Sequence, residues 1–131
     1  MKVLALDYGP ARTGVAVSDP TGTLARPVGV VERASTQAGL ERLLELVRAE
    51  EPERIVVGLP LTLRGEHGEQ ARETERFVEA LRGKVDVPVE SLDERFTTTL
   101  AAHTQARAAE DARAAAHLLT TYLERMSGGQ S

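Results

Sequence analysis

The chain has 131 residues, 41% hydrophobic and 27% charged, with 16 Lys and Arg against 20 Asp and Glu for a formal net charge of -4. That length suits one core and is short for two, so a single domain over 1–126 with a frayed tail at 127–131 is expected. The absence of cysteine excludes disulfides, thiol catalysis and cysteine-based zinc sites, and no apolar run approaches a membrane span, so a soluble cytoplasmic protein without membrane contact is expected.

Val3 to Leu6 is a nearly continuous apolar run that suits a buried first strand, and Asp7 stands where the chain leaves the sheet. Tyr8-Gly9-Pro10 and Ala11-Arg12-Thr13-Gly14 supply turn residues, after which Val15 to Val17 resume a strand closed by Ser18-Asp19-Pro20. Arg26 to Val31 is a third strand, and Pro27 near its start favours a sheet edge. Ser35 or Thr36 can cap a helix with Leu40, Leu43, Leu44 and Val47 on one face, closed by Pro52.

Arg54 to Pro60 is a short buried strand with a Gly/Pro exit that follows this helix and is therefore expected parallel to the first. A polar loop over Thr62 to Gly68 leads to a helix over Glu69 to Arg82, with Ala71, Thr74, Phe77, Val78 and Leu81 on one face. Val87 to Leu92 is the last strand. From Thr97 to Met126 the alanine-rich sequence favours helix, in one piece or two, with a stripe of Ala112, Ala115, Ala116, Leu119, Leu123 and Met126 and with Tyr122 at its border. The order β-β-β-α-β-α-β-α predicts an α/β fold in which an antiparallel meander is extended by parallel strands.

Acids stand at three separate exits: Asp7 after the first strand, Asp93 and Glu94 after the last, and Asp111 on the final helix. In an α/β sheet, sites gather at the carboxyl ends of parallel strands. Carboxylates brought together there stay ionised by binding hard cations such as Mg²⁺ or Mn²⁺, and two such ions support phosphodiester hydrolysis. The alternative reading makes Asp7 a turn residue and Asp111 a surface acid. Arg12 and Arg95 lie close in sequence to these acids and serve either to clamp phosphate or to neutralise their neighbours. Thr97 and Thr98 suit a helix cap or a phosphate donor, and Gly9 suits a tight turn or close substrate approach. His67, His103 and His117 lack the spacing of a zinc helix motif, and no P-loop or dinucleotide-binding glycine pattern occurs.

LALDYGPARTGVAVSD (Leu4 to Asp19), IVVGLPLTLRGEHG (Ile55 to Gly68), LDERFTTTLA (Leu92 to Ala101) and DARAAAHLLTTYLE (Asp111 to Glu124) together resemble the YqgF family, also called RuvX, of RNase H-like nucleases. The resemblance implies an RNase H-like fold, a five-stranded mixed sheet flanked by helices, similar to that of RuvC-type Holliday junction resolvases. It implies Asp7, Glu94 and Asp111 as catalytic, metal-holding acids, supported by Arg12, Arg95 and Thr98 at the substrate, beside Gly9 as read above. The implied activity is a Mg²⁺- or Mn²⁺-dependent endonuclease, with two ions, that matures the 5′ end of pre-16S rRNA. Cleavage of four-way DNA junctions and an inactive ribosome-assembly module are the alternatives. Structured RNA, branched DNA or a pre-ribosomal particle would be its partner, met as a monomer or homodimer. Family members carry a longer lysine-rich segment before the final-helix acid, whereas the interval from Ala101 to Asp111 offers only Arg107.

Overall fold

A computed structural model describes residues 1–22, 24–59, 68–93 and 108–128, with the backbone alone at 93, 108–111, 127 and 128. The elements follow the expected order: β1 (Val3–Asp7), β2 (Arg12–Ser18), β3 (Ala25–Glu32), α1 (Gln37–Glu50), β4 (Arg54–Leu59), α2 (Glu69–Arg82), β5 (Val89–Asp93) and α3 (Ala108–Gly128). The strands form one sheet in the order β3-β2-β1-β4-β5. β1 and β2 are antiparallel, as are β2 and β3, while β4 lies parallel to β1 and β5 parallel to β4.

Both faces of the sheet are covered, which explains why its central strands read as apolar runs rather than as alternating ones. Leu4, Leu6, Val15, Val17, Ile55 and Val57 point to one side, where they pack with Leu43 and Val47 of α1 and with Phe77, Val78 and Leu81 of α2. Val3, Ala5, Ala16, Val56 and Leu92 point to the other and pack with Ala115, Leu118, Leu119 and Tyr122 of α3. Burying a side chain of this size stabilises the fold by about 1.5 to 3 kcal/mol, so the two clusters are its main support.

Local chemistry sets the element ends. The Thr36 side chain accepts from the Gly39 N–H at 3.1 Å, so Thr36 and not Ser35 is the cap of α1. The helix stops at Glu50, where Glu51 turns left-handed with φ 50° ahead of Pro52. β5 begins at Val89 instead of Val87, and the Pro88 carbonyl already accepts from the Ile55 N–H at 2.9 Å. Edge strand β3 contains exposed Pro27 and is irregular opposite Val15/Ala16 of β2.

Two expectations change at the C-terminus. Among the described residues α3 is a single helix that continues through Ser127 to Gly128, the first two positions expected to fray. Its buried face keeps the expected stripe, with Ala116 and Leu123 partly buried against the same cluster, but departs from it at two positions, Tyr122 and Met126. Ala112, Ala115, Leu118, Leu119 and Tyr122 are buried, whereas Met126 is 36% exposed. The physical reason is Tyr122, whose ring enters the core while its hydroxyl meets Arg54. No described helix is long and apolar enough to cross a membrane.

Candidate active site

Asp7 is the last residue of β1, half-buried, and paired across the hairpin with Gly14. Side chains alternate along a strand, so Asp7 shares the sheet face of Val3 and Ala5, the face that α3 covers. β1 pairs with β4 through Leu6 and Val57, and β4 pairs with β5 through Leu59 and Asp93. The three parallel strands therefore end on one edge, with β1 and β5 two strand spacings apart, about 10 Å. That edge is the carboxyl end where α/β sheets form their clefts.

The direction of α3 follows from its far end. Arg54 opens β4 beside Val3, and its Nη1 lies 2.8 Å from the Tyr122 hydroxyl, so Tyr122 sits where β1 begins. Asp111 is about three helical turns earlier, about 16 Å back along the axis, and Val3 to Asp7 covers about 13 Å of strand. The first turn of α3 therefore reaches the edge at which Asp7 stands. Asp111 occupies the register position four residues before buried Ala115 and seven before Leu118.

Arg12 opens β2 on the far side of the Tyr8 to Ala11 turn, opposite Glu32 of β3. Gly9 makes that turn possible, because a Cβ at this position would stand 2.6 Å from the Arg12 carbonyl oxygen. The Arg33 N–H donates to the Ala11 carbonyl at 3.0 Å and ties the turn to the end of β3. These contacts give Gly9 a role in closing the turn.

Glu94, Arg95 and Thr98 lie outside the described residues, as do Thr97, Arg107, His67 and His103. Among the described residues no three potential ligands converge on a common point. His117 is exposed on α3. The constellation that sequence reasoning missed is at the opposite edge of the sheet. There Arg54 Nη1 lies 3.1 Å from Glu90 Oε2 as well as against Tyr122, and the tyrosine hydroxyl is 3.5 Å from Glu90 Oε1. The Arg54 guanidinium is held above its ordinary pKa first by the Tyr122 hydrogen bond, with burial opposing and the charge of Glu90 assisting. An arginine opening an otherwise apolar strand and a tyrosine bordering an alanine stripe were the visible signals.

A family profile described as RuvX, Holliday junction resolvase, matches residues 1–125. A protein of Sulfurihydrogenibium sp. (strain YO3AOP1), named "Putative pre-16S rRNA nuclease", is 40% identical over 135 residues, covering 96% of this chain and 92% of that protein. Among solved structures, Thermus thermophilus RuvC in complex with a Holliday junction substrate superposes with a TM-score of 0.62 at 20% identity, covering 98% of this chain and 97% of that one. Fowlpox virus resolvase with its junction DNA gives 0.58 at 11% identity, covering 96% and 99%. The structural likenesses establish an RNase H-like fold, as the five-stranded mixed sheet already indicated. The profile spans nearly the whole sequence and the relative matches at both ends, and on that ground this chain belongs to the RuvX family.

Proposed function

We propose that this protein is a divalent-metal-dependent endonuclease that hydrolyses phosphodiester bonds in structured nucleic acid, with the 5′ end of pre-16S rRNA as its substrate. The observation that carries the reading is the position of Asp7: it stands at the edge where β1 and β5 end, on the face covered by α3, whose first turn holds Asp111. A carboxylate at a strand exit on the catalytic edge of a doubly covered sheet is placed for chemistry more than for packing. The name shared by close relatives supports the substrate.

The donor chemistry fits hard cations. Asp7 offers oxygen at a half-exposed position, and neither cysteine nor a described histidine competes there. Asp7, Glu94 and Asp111 are the residues we assign to hold Mg²⁺ or Mn²⁺, as a pair of ions. When bound, the ions lower the pKa of water and neutralise charge on the phosphate oxygens.

The chain's own residues supply the positioning. Asp7, fixed at the end of a strand buried on both faces, gives the site a rigid reference point. Arg12, across the turn, holds a neighbouring phosphate with its planar fork, and Arg95 and Thr98 take the next contacts along the backbone. With only two Phe, two Tyr and no Trp, recognition rests on the shape of the substrate more than on stacking of many bases. The products carry 5′-phosphate and 3′-hydroxyl ends.

The test is cleavage of a 5′-extended 16S rRNA precursor and of a synthetic four-way junction by the full chain, with and without Mg²⁺ or Mn²⁺. Site-specific cutting of the precursor, reduced at least about 100-fold in Asp7→Asn, is expected. Equal residual activity in wild type and variant would leave the inactive assembly module as the answer. Four-way DNA junctions are the second reading, favoured by the description of the matching family profile. Preferential junction cutting would select it.

A further inference from the structure

Behind the strand that carries Asp7, on the opposite face of the sheet, lies a cavity of about 370 Å³ that the nuclease site does not use. Its walls include Tyr8, Ser35, Leu40, Glu73, Arg76 and Phe77. The volume falls in the roughly 300–1,000 Å³ range of small-molecule sites. Tyr8 follows Asp7 in the chain, and because side chains alternate it turns to the α1 and α2 side, where its ring stacks on Phe77 at 4.4 Å.

The polar groups of this cavity are unspent. Tyr8 is only 6% exposed, yet its hydroxyl makes no hydrogen bond to any described residue. Tyr8 Oη is not one of the buried atoms left without a partner, so it is open to the solvent of the cavity, where a ligand can replace water. Glu73 and Arg76 are three positions apart on α2 and share a face, yet among the described residues neither forms an ion pair. Ser35 adds a hydroxyl beside the start of α1.

We infer that this cavity binds an unpaired guanine base of the nucleic-acid substrate. One acid and one base in the lining leave it without net charge, which disfavours a phosphate and suits a neutral, polar, flat ligand. Leu40 and the Tyr8–Phe77 pair provide the apolar wall against which an extruded base packs. The Glu73 carboxylate accepts from the adjacent N1–H and N2–H donors of guanine, and the Arg76 guanidinium donates to the O6 and N7 acceptors on its other edge. Adenine and the pyrimidines offer no edge with that pairing of donors and acceptors. Tyr8 and Asp7 end the same strand on opposite faces, so a base held here would anchor the substrate around the edge of the sheet that carries Asp7 and bias where the cut falls. The inference deepens the nuclease reading and rests on it for the source of the base.

The test is a titration of the isotope-labelled full chain with guanosine, adenosine, cytidine, uridine and inorganic phosphate, followed by NMR. It needs neither metal nor cleavage, so it stands apart from the outcome of the nuclease assay. Guanosine is expected to shift the amides of Tyr8 and of the Glu73 to Phe77 turn saturably, at least about tenfold more tightly than cytidine. Glu73→Gln, at a half-buried position, and Arg76→Ala, at an exposed one, should each weaken guanosine about tenfold with unchanged circular dichroism. Tyr8→Phe, which keeps the stack on Phe77, should weaken it less. No saturable response to any nucleoside, an equal response to all four, or the same shifts with inorganic phosphate would each overturn the assignment.

Discussion

Arg54 Nη1 stands 2.8 Å from the Tyr122 hydroxyl, joining the first residue of β4 to the last turns of α3 across the sheet. Glu90 of β5 closes the group from the third side, so one charged cluster holds three elements together at the edge opposite Asp7. Because α3 is continuous from there to Asp111, this contact sets where its first turn lies.

Tyr122→Phe removes the hydroxyl and keeps the ring, so it isolates this contact. It should lower stability by about 1 kcal/mol, less than a fully buried charge-assisted bond because Glu90 is 42% exposed. The folded-state pKa of Arg54 is raised, so its contribution is complete below the unfolded value and is lost only as pH rises through the folded one. The loss in Tyr122→Phe, measured by urea denaturation, should therefore be the same at pH 6 and pH 9.

Glycine-to-alanine substitution should have opposite signs at two positions. A Cβ on Gly39 would lie 2.0 Å from the Arg33 carbonyl oxygen and 2.7 Å from that of Glu32, both rigid backbone atoms. Gly39→Ala should cost about 2 kcal/mol or more although alanine is the better helix former, because the start of α1 must shift off β3. Gly29 on β3 meets nothing within 4 Å, so Gly29→Ala should gain about 0.5 kcal/mol from reduced unfolded-state entropy. Thermal melts of the two variants side by side check the contrast.

Two small hydroxyls in β2 should also respond oppositely. Ser18 Oγ accepts from the buried Val3 N–H at 2.7 Å, and Ser18→Ala would strand that donor at a cost of about 1 to 3 kcal/mol. Thr13 is fully buried, and its Oγ1 has no hydrogen-bond partner among the described residues. Thr13→Val replaces that hydroxyl with a methyl group of similar shape and should stabilise the fold by about 1 kcal/mol. Denaturant midpoints at constant m-value would confirm both.

On α3, activity should follow position and not charge. Asp111→Asn is expected to lower cleavage at least about 100-fold with the fold intact, whereas Glu124→Gln, an exposed acid toward the other end of the same helix, should leave it within about twofold. A chelator should abolish the activity, with restoration by excess Mg²⁺. Equal losses in the two variants would remove Asp111 from the site.

Most of the architecture was legible because the relevant signals are local. The run from Val3 to Leu6 and the stripe Ala71, Thr74, Phe77, Val78 and Leu81 report burial through spacing alone, and all nine are buried in the structure. On α3 the stripe was legible at Ala112, Ala115 and Leu119, while Met126 is exposed and Tyr122, read at the border, is buried where an arginine distant in sequence meets its hydroxyl. The acid Asp7 was visible at a strand exit, and the shared edge follows once strand direction is known. The cavity behind it was not, since Tyr8 and Phe77 come together only when α2 folds over the sheet. Gly9 suited a tight turn or a close substrate approach, and the nearby Arg12 carbonyl accounts for the first of these.

Pro27 and the irregularity opposite Val15/Ala16 lie on the outermost strand, where an incoming chain would look for a ladder of donors. The missing N–H and the broken repeat make this margin a poor template for strand addition, which protects the protein from fibre-like stacking. A homodimer able to cut two strands at once would therefore not pair through β3, and β5 at the other margin, the helices and the loops are the surfaces left to it.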